Sequence, residues 1–161
     1  MRLRIMVLAV FMAGCLAAAP MGALTIQSPG AAITLSADAL RAQLPAASLR
    51  VYNPAYGREL SYRGFWLEDV LRLAHFPSPS AKLALSIRCK DGYVTIMAST
   101  AVGHHQWLLA YEETSGHWTP LRHQGADVSP GPWYLVGKDK ASFEKIPWPY
   151  QVTTIAPVEH S

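Results

Sequence analysis

The chain has 161 residues, half of them apolar, with 14 basic and 11 acidic side chains and two cysteines. That length suits one domain with a core of its own, and a net charge of +3 offers no case for nucleic acid or an anionic membrane as partner. Five tryptophans, seven tyrosines and twelve prolines, with no repeat and no low-complexity run, point to a loop-rich fold of short strands.

Met1-Arg2-Leu3-Arg4 is a short positive segment, Ile5 to Ala13 an unbroken apolar run, and Gly14 to Ala23 a stretch rich in small residues. This is the pattern of a secretory leader, and Gly14 and Pro20 break the apolar run too early for a membrane span. The expectation is cleavage after Ala23 and an exported, periplasmic domain over residues 24–161. Loss of Arg2 and Arg4 then leaves 12 basic against 11 acidic residues, a net charge of +1. Met12-Ala13-Gly14-Cys15 also resembles a weak lipobox, the alternative in which Cys15 is lipidated and holds the protein at a membrane.

Ile33 to Leu35 is a strand candidate, and Ser36 is placed to cap a helix over Ala37 to Leu44 that Pro45 stops. Ser48 to Asn53 and Glu59 to Arg63 alternate apolar and polar residues about the Tyr56-Gly57 turn, the pattern of a hairpin. Leu67, Val70, Leu71 and Ala74 form one apolar stripe, so a helix runs from Trp66 to Ala74. Phe76 to Ser80 is a proline-stiffened loop. Leu83 to Cys89 and Tyr93 to Met97 are strands joined by Lys90-Asp91-Gly92, where Gly92 can take positive φ. Ser99 to Val102 is a single helical turn, Trp107 to Glu112 a buried strand, and His117 to Leu121 its expected partner. Gln124 to Gly131 reads as a polar loop, Pro132 to Val136 and Val152 to Ile155 as strands, and Lys138 to Pro149 as irregular chain. Many short strands and two short helices argue for an α+β fold with mixed or antiparallel sheets.

With Cys15 in the leader, Cys89 is the single thiol of the exported domain in an oxidising compartment. Three readings stand beside one another. Cys89 is a buried small hydrophobe at a strand end, a soft thiolate ligand for a metal, or a reactive thiol near Arg88 and Lys90. In a strand those two cations face away from Cys89, which weakens the third reading.

Four stretches carry a family resemblance: Tyr62-Arg63-Gly64-Phe65-Trp66-Leu67, Ile87 to Tyr93, Leu109-Ala110-Tyr111-Glu112, and Gly131-Pro132-Trp133-Tyr134-Leu135-Val136. In order and spacing they resemble the oxidoreductase molybdopterin-binding domain, the sulfite-oxidase fold. Trp148-Pro149-Tyr150-Gln151-Val152 with Ile155 is similar to a subset of exported proteobacterial members, often found beside c-type cytochromes. In catalytic members one cysteine thiolate at a strand end binds molybdenum, and Cys89-Lys90-Asp91-Gly92-Tyr93 matches the Cys-x-acid-small-aromatic pattern of one exported branch. The resemblance thus implies Cys89 as the metal ligand, with Asp91, Gly92 and Tyr93 as cofactor-binding neighbours and molybdopterin as the cofactor.

Other residues have plainer readings beside sharper ones. His104-His105, with His117 and His123, could join Cys89 in a copper or haem-iron site, but solvated loop histidines are the simpler expectation. Asp91 could be a general base, although an Asp-Gly turn more often uses its carboxylate to bond backbone. Glu112 and Glu113 are expected at a solvated strand end, and among the tryptophans Trp148, between prolines, is expected to be the most exposed. Since basic residues are scattered and no Gly-rich phosphate loop is present, the leading expectation is an exported, redox-related accessory module. It would serve a periplasmic electron-transfer system, with a c-type cytochrome or other respiratory protein as partner. The alternatives are a molybdenum oxidoreductase and a Cys/His metal-binding protein.

Overall fold

Two antiparallel-rich sheets enclose one apolar cluster, and each sheet follows from alternation of apolar and polar residues along its strands. The computed structural model describes residues 22–159, so the leader up to residue 21, including Cys15 with its lipobox, lies outside the described residues. Among the described residues no helix is long and apolar enough to cross a membrane.

The first sheet holds β1 (Leu24–Ser28), β2 (Ala31–Leu35), β5 (Leu83–Cys89), β6 (Val94–Ala98) and β11 (Val152–Glu159), in the order β2-β1-β11-β5-β6. Only β1 and β11 pair in parallel; the other neighbours are antiparallel. Leu24 and Ile26 of β1, Leu85 and Ile87 of β5 and Ile155 of β11 are fully buried on the inner face. The second sheet is fully antiparallel, ordered β10-β7-β4-β3, from β3 (Ala47–Asn53), β4 (Arg58–Trp66), β7 (Trp107–Glu113) and β10 (Tyr134–Gly137). A register shift between Arg63 and Gly64 kinks β4. Gly64 is required there: a Cβ would sit 2.3 Å from the Leu109 carbonyl oxygen.

The helices follow their signals. Ser36 Oγ accepts from the Ala39 N–H at 3.1 Å and caps α1 (Ala37–Arg41). The helix is shorter than expected, because the chain tightens through Gln43 and Leu44 N–H bonds to the Leu40 carbonyl before Pro45. Helix α2 (Leu67–Leu73) buries Leu67, Val70 and Leu71, the expected stripe. The predicted turn after β6 is a short 3-10 turn, Ser99–Ala101.

Several segments depart from expectation. The partner strand expected over His117 to Leu121 is not formed. Instead β8 (Leu121–His123) pairs with β9 (Ala126–Val128) as a separate hairpin, whose turn and second strand lie inside what read as a polar loop. Its two-residue turn, Gln124-Gly125, has φ of 49° and 83°; glutamine at the first position hides a signal that asparagine would have announced. Helix α3 (Lys140–Lys145) forms within the stretch expected to be irregular, because Asp139 accepts from the Ser142 N–H at 2.9 Å and caps it.

Candidate functional site

Cys89 closes β5 where the two sheets meet. It lies opposite Val152 of β11, and Val152 N–H donates to the Trp133 carbonyl at 2.9 Å, just before β10. Gln151, at φ 51°, stitches the same corner: its N–H donates to Pro130, its side-chain amide to Ser129, and its carbonyl accepts from Lys90.

The turn after Cys89 is built as its sequence suggests. Cys89 N–H donates to the Tyr93 carbonyl at 2.8 Å and Gly92 N–H donates to the Cys89 carbonyl at 3.1 Å. Asp91 Oδ1 accepts from the Tyr93 N–H at 2.9 Å, so this carboxylate bonds backbone, and Gly92 sits at φ 90°. Asp91, Gly92 and Tyr93 are exposed, as are Arg88 and Lys90, whereas Cys89 is 3% exposed and belongs to the apolar core. The sequence-predicted quartet therefore does not converge: one member faces the core and three form a surface turn.

Burial, with a smaller contribution from the Asp91 carboxylate, pushes the Cys89 thiol up to about 12. At neutral pH the thiol carries its proton and is a weak nucleophile. The Tyr150 hydroxyl donates to Asp91 Oδ2 at 3.3 Å, and its own ionisation is pushed up by burial and then by Asp91. Among the described residues, Cys89 joins no group of three or more His, Cys, Asp or Glu donors.

These residues do not fit a molybdopterin. The described residues leave no buried side-chain nitrogen or oxygen without a partner, so no orphaned donor waits for a pterin. The cavity beside the β5 end, about 540 Å³, has Gly22 and Ala23, the last residues of the expected leader, in its walls with Pro132, Gln151 and Thr153. Lys90 is its one cationic wall residue among those described, and Cys89 does not line it. A phosphate cradle needs several converging donors or cations.

Elsewhere the structure corrects the sequence reading. Glu113 is buried rather than solvated, and its two oxygens accept from the Thr119 N–H and hydroxyl at 2.8 and 2.9 Å. Glu112 turns away to Arg63. Trp148 is 3% exposed: α3 covers it, with Ser142 Oγ accepting from its indole N–H and Phe143 meeting it edge-on at 5.6 Å. His117 and His123 are exposed, and His123 meets the Tyr150 ring at 6.0 Å. His105 is an exposed loop histidine as expected, and it also stacks on Trp66 and reaches Glu68 on α2. No motif signals that meeting, since the partners are far apart in sequence.

Comparison with known proteins rests on the fold. No family model and no curated protein matches the chain. Among solved structures, the chain is similar to the sulfane dehydrogenase SoxCD from Paracoccus pantotrophus, at 13% identity and a TM-score of 0.57. The match covers 86% of this chain and spans 38% of that one. Two sheets, a few short helices and this similarity together give the chain an α+β, sulfite-oxidase-like fold.

Proposed function

We propose that the chain is an exported, redox-related accessory module of a periplasmic electron-transfer system, using a sulfite-oxidase-like fold as a binding scaffold. The observation that carries this reading is the closure of Cys89. The strand end that resembles a molybdenum-binding position holds a protonated core thiol, and its surroundings do not fit the pterin.

A binding role is supported by the open edge of the first sheet. Among the described residues strand β6 pairs only with β5, and Val94 to Ala98 contains no charge and no proline. Natural edges are commonly blunted by one or the other. Tyr93, Val94 and Ile96 are 43%, 40% and 47% exposed, a small apolar strip of the kind that transient redox partners bury. The partner proposed is a c-type cytochrome or another respiratory electron-transfer protein.

Calorimetric titration of the purified protein with the soluble c-type cytochromes of its own source tests the reading. A complex weakened by Ile96→Glu, with folding retained, is the expected result. Stoichiometric molybdenum held through Cys89 would replace this reading with that of a molybdenum oxidoreductase.

A further inference from the structure

Glu68 and Asp69 open α2, and His105 lies in the loop before β7. His105 Nε2 stands 2.8 Å from Glu68 Oε1 and 3.7 Å from Asp69 Oδ2, and one donor atom from each residue lies within 4.8 Å of the others. Consecutive helical residues project about 100° apart, so neighbouring carboxylates do not meet at one point by default. Here they do, with side chains only 22% and 23% exposed, where water screens their repulsion less than at an open surface.

Both outer sides of the cluster are braced. The His105 ring stacks on Trp66, centroids 4.9 Å apart and planes within 8°. Arg72 takes the far oxygen of Asp69 at 2.9 Å, leaving Oδ2 turned toward His105. Glu68 pairs with His105, and Asp69, already held by Arg72, still presents its second oxygen to the same imidazole.

A separate observation is the space beside the cluster. Glu68 also lines a cavity of about 210 Å³ walled by Leu71, Phe76, Leu85 and Val102. Its second oxygen, Oε2, faces Gly103 in that wall, 3.9 Å from where a Cβ would stand. Glu68 thus joins the donor cluster to an apolar recess open to a small ligand.

We propose that Glu68, Asp69 and His105 bind a divalent first-row cation of the zinc type, at the edge of this cavity, which Glu68 shares. One imidazole nitrogen and two carboxylate oxygens make a three-ligand protein set, which leaves a tetrahedral ion its fourth position for water or an added ligand. The imidazole favours zinc-type ions over magnesium or calcium. Cys89, at the end of β5, is not a member of this cluster.

Calorimetric titration of chelator-treated protein with Zn²⁺ tests the proposal. One equivalent binds, and His105→Ala or Glu68→Gln weakens it by about 100-fold or more, beyond the loss typical of outer-shell changes. Cys89→Ser and His123→Ala leave it unchanged. Circular dichroism establishes that the variants fold, and Glu68→Gln, which preserves shape, decides the matter if His105→Ala does not. Cobalt in place of zinc gives a visible spectrum without a thiolate band. No binding by the wild type, binding that survives both ligand substitutions, or a thiolate band lost in Cys89→Ser would overturn the proposal.

Discussion

The Tyr150 hydroxyl donates to Asp91 Oδ2 across 3.3 Å, joining the segment before β11 to the turn that follows Cys89. The other oxygen of the same carboxylate already accepts from the Tyr93 N–H. Asp91 therefore uses both oxygens to tie the turn together, one to backbone and one to Tyr150.

Thiol chemistry follows from the burial of Cys89. Cys89 is expected to resist alkylation in the native protein at neutral pH and to react at once in denaturant. Mass spectrometry after iodoacetamide treatment checks this, and rapid native labelling would contradict it. Cys89→Ser, which places a hydroxyl in an apolar core, should cost about 1–3 kcal/mol by urea denaturation.

Alkaline pH should unfold the protein early. The folded-state ionisation of Cys89 is raised to about 12 from 9.0, and burial raises Tyr56, Tyr62 and Tyr134 as well. For such groups the folded state holds the proton that the unfolded chain releases. Their contribution is complete below the unfolded values, and stability falls as pH rises from about 9 through 12. Urea midpoints across that range, read beside tyrosinate absorbance, should decline together.

Asn53 is the polar keystone of the second sheet. Fully buried, it donates to the hydroxyls of Tyr62 and Tyr134 at 2.8 and 3.0 Å and accepts from the Ala55 N–H. Asn53→Ala strands those partners in the core and should cost about 2–3 kcal/mol, measured by chemical denaturation.

Two glycines should behave very differently. Gly64→Ala drives a methyl against the Leu109 and Ala110 backbone, which cannot yield within the β4–β7 ladder, and should cost about 3 kcal/mol or more. Gly92→Ala meets open space and pays only for positive φ, about 1–2 kcal/mol. Paired thermal melts distinguish them.

Much of this architecture is legible in the sequence. Alternation and Asp-Gly mark β5 and its turn, and the Leu67, Val70, Leu71, Ala74 stripe marks α2. Strand β1 is missed because it directly follows the apolar leader, and its parallel pairing with β11 is a contact across the whole chain. Helix α3 is missed because Phe143 is its single large apolar residue, and with it goes the cover over Trp148. At the candidate site, sequence places Cys89 opposite Arg88 and Lys90 but cannot say which face meets the core. That is set by β11, whose register puts Val152 opposite the cysteine. The Glu68, Asp69 and His105 cluster is likewise made by folding alone.

Molybdenum content per chain tests the central claim most directly. Wild type and Cys89→Ser should be purified from a host that makes the pterin cofactor and compared by elemental analysis. A protein whose Cys89 is a closed core thiol carries no molybdenum that depends on that residue. Stoichiometric molybdenum in the wild type, lost in Cys89→Ser, would contradict the account.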